Sequence, residues 1–154
     1  MHFLAECVSW ALMSGLLIHG TSLSLYYQGR WRGVLIGGES GIGKSDLALR
    51  ALACGYVLIS DDYSQVFASG TQLYITAPKT ILGRMEIRGL GIVPQPSRLL
   101  TRLDVVVHCQ SQAPERLPEP EVTPLLDIMV PTLRLDPKQA SSLMKMDFCI
   151  KNWV

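Results

Sequence analysis

The stretch Gly38-Glu39-Ser40-Gly41-Ile42-Gly43-Lys44-Ser45 constrains this chain more than any other, because it fits the pattern G-x-x-x-x-G-K-[ST] in full. Its context agrees. An apolar run with Val34-Leu35-Ile36 at its centre precedes it and predicts a buried strand over Trp31 to Ile36. Leu47, Ala48, Ala51 and Leu52 follow at helical spacing and predict a helix over Lys44 to Cys54, stopped by Gly55. Strand, glycine-rich loop and helix make a phosphate-binding loop. The glycines let backbone N–H groups converge on phosphate oxygens without a Cβ in the way. The helix aims its positive end at the same place. All eight residues, Gly38 through Ser45, are therefore nucleotide-binding candidates. Lys44 is suited to the β- and γ-phosphates, and the Ser45 hydroxyl to magnesium.

Asp61-Asp62 is the second signal. It lies just beyond an apolar segment, Tyr56 to Ile59, that predicts a short buried strand. Ligands of open α/β sheets sit outside the carboxyl ends of the strands, which is where these acids fall. One carboxylate can hold magnesium and the other can take the proton of an attacking hydroxyl. Adjacent side chains on extended backbone point oppositely, so the two acids are expected to divide these tasks. A third candidate is Glu86-Ile87-Arg88-Gly89-Leu90-Gly91, where Glu86 offers a second metal contact and Arg88 a phosphate clamp.

The remaining chain reads as one α/β domain with a mixed sheet. Thr21 to Tyr27 alternates, with Leu23, Leu25 and Tyr27 on one side, and turns at Gln28-Gly29-Arg30 into the next strand. Tyr63 to Phe67 and Gln72 to Thr76 read as a second hairpin. Proline and glycine in Ala77 to Pro96 predict loop with short helical or strand pieces. Leu103 to Cys109 is a buried strand by its β-branched run. Gln110 to Pro124, with its prolines, reads as a surface connection. Leu133 to Leu135 reads as a last strand and Pro137 to Met144 as a helix capped by Asp136.

Composition narrows the function. A formal net charge of +1 over 154 residues argues against a nucleic-acid partner. The run Lys79, Arg84, Arg88, Arg98 and Arg102, opposed by Glu86, suits a small anionic ligand. The cysteines Cys7, Cys54, Cys109 and Cys149 lack zinc spacing and read as reduced thiols, Cys54 and Cys109 facing the core, which points to the cytoplasm. His2 and His108 carry no supporting pattern. Met1 to Ile18 is an almost wholly apolar segment, expected as a helix packed on the domain or on a partner subunit, since Glu6 and the missing basic start disfavour a membrane span or signal peptide. The division expected is 1–18 for this segment and 19–154 for the domain.

With these blocks in hand, the sequence resembles the catalytic domain of the HPr kinase/phosphorylase family. The matching residues are His19-Gly20, the loop at 38–45, Ile59-Ser60-Asp61-Asp62, Ala77-Pro78 and Glu86-Ile87-Arg88-Gly89-Leu90-Gly91-Ile92, spanning His19 to Cys109. The resemblance implies a P-loop fold similar to phosphoenolpyruvate carboxykinase. It also implies ATP-dependent phosphorylation of a serine on HPr, a phosphocarrier of the sugar phosphotransferase system, in the regulation of carbohydrate metabolism. The same site would remove that phosphoryl group with inorganic phosphate. Lys44 and Ser45 would bind ATP and Mg2+, and Asp62 would be the base forward and the acid in reverse. Asp61 would support Asp62 or the metal, Glu86 would be a metal ligand, and His19 would lie near the reacting phosphate. Family members are commonly hexamers, so a homo-oligomer is implied. The chain departs from the longer members in lacking an N-terminal domain and C-terminal helices that grip HPr, and it is read as a short form. A small-molecule kinase and a non-catalytic nucleotide sensor are the competing readings; the intact acid pair weighs against the sensor.

Overall fold

The β-branched and aliphatic runs expected as strands do form the centre of the sheet. The computed structural model describes residues 15–154. In chain order the strands are β1 (Leu16–His19), β2 (Thr21–Tyr27), β3 (Arg30–Gly37), β4 (Val57–Ser60), β5 (Tyr63–Ser69) and β6 (Gln72–Thr76). They continue with β7 (Arg84–Ile87), β8 (Gly91–Pro94), β9 (Thr101–Cys109), β10 (Glu121–Leu125) and β11 (Ile128–Leu135). The helices are α1 (Lys44–Leu52), between β3 and β4, and α2 (Ser142–Asn152), after β11.

The main sheet runs β1-β5-β6-β9-β3-β2-β4, and β7–β8 forms a separate two-stranded ribbon. β9 is the axis of the design. One edge pairs in parallel with β3 along most of its length. The other edge pairs antiparallel with β6 at Thr101 and Arg102, then in parallel with β11 from Val106 to Cys109. The sheet therefore forks along β9 and curls, giving a mixed α/β fold. Side-chain alternation splits the core accordingly. Val34, Ile36, Val105 and Val107 face α1 and α2, while Leu35 and Val106 face the opposite way towards Val66 and Ile75.

β2 shows why position matters more than composition. Leu23 and Leu25 join the helix-side core with Tyr27 packed against it, as the alternation predicts. Its serines are buried too, because β2 lies between β3 and β4. Ser22 and Ser64 share a 2.8 Å hydroxyl hydrogen bond, which satisfies both. Close strand approach also fixes Gly33 on β3: a Cβ there would overlap the Arg102 carbonyl. Gly33→Ala is expected to destabilise the fold by about 1–3 kcal/mol, measured as a lower urea midpoint at unchanged slope.

Several expectations are corrected. The helix expected over Pro137 to Met144 is displaced to Ser142–Asn152. Asp136 spends its side chain on the Lys138 N–H (3.0 Å) and its carbonyl on a turn with Gln139 and Ser142. The helix starts only where Met146, Cys149 and Ile150 can reach the core at three- and four-residue spacing. The last strand starts at Ile128 rather than Leu133, and its antiparallel partner β10 lies, all but Leu125, inside the stretch expected as a surface connection. Prolines hid this hairpin, but Pro124 sits on an outer strand, where a missing donor is tolerated. Its turn uses Leu126 and Asp127 at φ 49 and 63, without the usual glycine. Cys54 is exposed, because α1 ends before it, while Cys109 is buried as expected. Residues 16–18, expected as helix, belong to β1, which pairs antiparallel with β5 and crosses the expected boundary at 18/19. The rest of the N-terminal segment, with His2 and Cys7, lies outside the described residues. Among the described residues no helix is long and apolar enough to cross a membrane.

Candidate active site

β3 ends by delivering Gly37 to the glycine-rich loop at the carboxyl edge of the sheet. Gly38 has φ 136, and a Cβ there would lie 2.7 Å from the Cys109 carbonyl of β9, so glycine is required. The Ile42 N–H closes the loop on the Glu39 carbonyl at 3.3 Å. Gly43, at φ 116, caps α1 without any side-chain hydrogen bond to the helix. The first-turn N–H groups are thus left for whatever the loop receives. Lys44 is only 6% exposed and folds its ammonium over the loop, donating to the Gly38 and Glu39 carbonyls at 2.8 and 2.7 Å. Burial pushes the Cys109 thiol behind the loop up to about 11, against the lowering influence of Lys44, so it stays a packing group.

Across the cleft stands the acid pair. Asp62 has φ 65, which turns its carboxylate out of strand alternation and into the opening. Its Oδ1 accepts a 3.1 Å hydrogen bond from His19 Nε2, and the Gly20 N–H donates to its carbonyl at 2.8 Å. Tyr63 backs the imidazole with ring centroids 5.1 Å apart. Asp61 turns the other way and is buried. The Thr21 hydroxyl donates to its Oδ1 at 3.3 Å and the Glu86 N–H to its Oδ2 at 3.0 Å. Desolvation raises the Asp61 pKa, partly offset by these two donors. The two acids do part company, as expected, but a left-handed backbone at Asp62 does it rather than the alternation of an extended strand.

The loop, the acids and the ribbon enclose a cleft of about 550 Å³. His19, Lys44, Ser45, Asp62, Glu86 and Arg88 all line it, though they come from positions scattered over 70 residues of chain (19 to 88). Ser40, Gly41, Gly43 and Asp61 line it too. Gly38, Glu39 and Ile42 belong to the loop but do not line the cleft. Sequence reasoning missed Asp46 and Leu49 on the α1 wall, Met85 at the base of the ribbon, and Thr21 beneath Asp61. An acid in the first turn of a helix was the available signal for Asp46; Thr21 reads as an ordinary strand residue. Among the described residues, no group of three or more His, Cys, Asp or Glu is arranged to hold a metal. A hydroxyl and separate carboxylates around one opening still suit magnesium, which takes one or two carboxylates and completes its shell with waters and phosphate oxygens.

A forked mixed sheet with a loop-walled cleft at its carboxyl edge defines the class of fold. It is similar to the solved structure of the Hpr(Ser) kinase/phosphatase from Coxiella burnetii, with a TM-score of 0.71 at 23% identity, covering 88% of this chain and 87% of that one. The family model described as HPr Serine kinase C-terminal domain matches residues 11–99, and the chain belongs to that family. The HPr kinase/phosphorylase of Lacticaseibacillus casei (strain BL23) is 34% identical over 139 residues, covering 82% of this chain and 42% of that protein. That of Exiguobacterium sp. (strain ATCC BAA-1283 / AT1b) is 42% identical over 77 residues, 49% of this chain and 24% of the relative. The chain thus spans less than half the length of these relatives.

Proposed function

We propose that this chain is an ATP-dependent protein serine kinase acting on the phosphocarrier HPr or a relative, and that it also runs the phosphate-dependent reverse reaction. The observation that carries this reading is the His19–Asp62 pair, 3.1 Å apart, facing Lys44 and Ser45 across one cleft. A phosphate-binding loop alone would serve a nucleotide sensor. A carboxylate held in the opening supplies what phosphoryl transfer to a hydroxyl further needs. The same elements support a P-loop fold of the phosphoenolpyruvate carboxykinase kind.

In this mechanism Gly38 to Ser45 wrap the phosphates of ATP with backbone N–H groups, and Lys44 moves from the loop carbonyls to the β- and γ-phosphates. Ser45 and Glu86 would hold Mg2+, which would supply neutralising charge at the transferring group. Asp62 accepts the serine proton as the serine oxygen bonds to the γ-phosphorus and the bond to ADP breaks. His19 holds the carboxylate in position. In reverse, an inorganic phosphate oxygen attacks the phosphoserine phosphorus, Asp62 returns the proton to the serine oxygen, and pyrophosphate leaves. The domain 19–154 would carry this chemistry in the cytoplasm as one subunit of a homo-oligomer, the hexamer being the family's form.

Arg88 would contact phosphate or brace the acid loop from the ribbon. Arg88→Lys keeps the charge and loses the two-pronged donor, so transfer should fall even then. A normal rate in Arg88→Ala would reduce the arginine to a surface group. The whole reading is tested by incubating the protein with γ-labelled ATP and HPr. Label on an HPr serine supports it. Label on a small hydroxyl compound with none on HPr would make it a small-molecule kinase, and tight ATP binding without transfer to either would make it a sensor.

A further inference from the structure

Asp61 stands where three elements meet. It follows β4, it lies beside Thr21 of the neighbouring β2, and it reaches Glu86 of β7. Both of its carboxylate oxygens have protein donors, the Thr21 hydroxyl at 3.3 Å and the Glu86 N–H at 3.0 Å, and the residue is 6% exposed. The β7–β8 ribbon that receives the second bond is not part of the main sheet. It is held to the body by the buried Met85 side chain and, through the residues after β8, by a bridge from Ser97 to Leu58. The bond from Asp61 is made at the residue that follows Met85, where the ribbon enters the cleft wall. Beyond that point come Arg88 and a tip with Leu90 and Ile92 exposed at 75% and 71%. Asp62, one residue away, faces His19 instead and shares neither donor.

We propose that Asp61 is a positioning residue whose carboxylate clamps the β7–β8 ribbon, and so holds Glu86 and Arg88 against the wall formed by Lys44 and Ser45. It deepens the kinase reading and rests on it for the identity of what the cleft receives. Its two oxygens are committed to the protein, so metal coordination falls to Ser45 and Glu86. What the clamp needs from residue 61 is an acceptor for the Glu86 N–H and a partner for a hydroxyl. A negative charge is not required.

That distinction can be tested with two substitutions. Asp61→Asn keeps a carbonyl oxygen for the Glu86 N–H, and its amide can donate to Thr21 Oγ, which accepts as readily as it donates. Asp61→Ala removes both bonds. Hydrogen exchange across residues 84–94 is measured on the ligand-free protein, with kcat, KM for ATP and the magnesium requirement measured separately. In Asp61→Ala, exchange at the Glu86 amide should rise about tenfold or more, as a buried donor loses its partner. Its kcat should fall on the order of 10²-fold, with KM for ATP little changed, because the ribbon groups are displaced while the loop is intact. Asp61→Asn should keep the ribbon protected, leave the magnesium requirement where it was, and recover about a tenth or more of the wild-type rate. If Asp61→Asn is as inactive as Asp61→Ala and needs much more magnesium, the carboxylate acts by charge and the proposal fails. Unchanged exchange in Asp61→Ala overturns it as well. Should Asp61→Ala not fold, the protection and magnesium requirement of Asp61→Asn decide alone. A wild-type protein that transfers no phosphoryl group sinks the kinase reading, whereas the exchange measurement still decides whether the clamp exists.

Discussion

Lys44→Ala is expected to lower phosphoryl transfer on the order of 10²–10³-fold and to weaken ATP binding sharply, in a protein that remains folded. In the proposed mechanism the ammonium supplies charge at the place where phosphate charge develops, and nothing else on the loop carries a cation. Its present hydrogen bonds run only to the Gly38 and Glu39 carbonyls. Packing of α1 rests instead on Leu47, Ala48 and Ala51, all fully buried. Circular dichroism and the unfolding midpoint should therefore stay close to wild type while isothermal titration with ATP loses its signal. Undiminished affinity and transfer in a folded Lys44→Ala protein would remove the loop from the mechanism.

Asp62→Asn should separate binding from chemistry. The amide keeps the size of the carboxylate and an oxygen for the His19 Nε2 contact, but it cannot take a proton. Loss of a general base costs about 10²–10⁴ in rate. ATP affinity should change little, since Lys44, Ser45 and the loop amides still hold the nucleotide. The reverse reaction should fall with the forward one, because the same group returns the proton to the serine oxygen. Three measurements on one variant check this: nucleotide affinity, forward transfer and phosphate-dependent removal. A fully active Asp62→Asn enzyme would move the base elsewhere. A variant that loses ATP binding first would make Asp62 chiefly a metal ligand.

The candidate site was more legible in the sequence than the periphery of the fold, for physical reasons. The glycine-rich loop must be written locally: Gly38 needs φ 136 and open space beside Cys109, and Gly43 must cap a helix at φ 116. Such demands leave few residue choices, so the pattern survives in the sequence. The end of β4 at Asp61-Asp62 was legible for a similar reason, as charge following an apolar run. The left-handed turn at Asp62 left no such trace, since no glycine marks it. The Thr21–Asp61–Glu86 connection was hidden because it joins residues 40 and 25 positions apart, through the hydroxyl of an ordinary strand threonine and through a backbone N–H, which has no residue type to announce it. At the C-terminal end, local signals misled. Asp136-Pro137 is a good helix start, yet the turn it makes with Lys138 and Gln139 takes its capping groups first. Pro124 spoke against a strand, yet β10 tolerates it because that outer strand pairs on one side only, with β11.

The proposed mechanism requires the cleft between the glycine-rich loop and the acid pair to receive the nucleotide. A backbone NMR titration with magnesium and a non-hydrolysable ATP analogue tests it directly. A second concavity, about 290 Å³ and lined in part by Arg102, Met129 and Trp153, serves as the internal control. Saturable shifts should concentrate at Gly38 to Ser45, in the first turn of α1, at His19 and Asp62, and on β7 around Glu86 and Arg88, with Trp153 and Met129 unmoved. Shifts confined to the Trp153 concavity, or none at millimolar analogue, would contradict the assignment of this cleft.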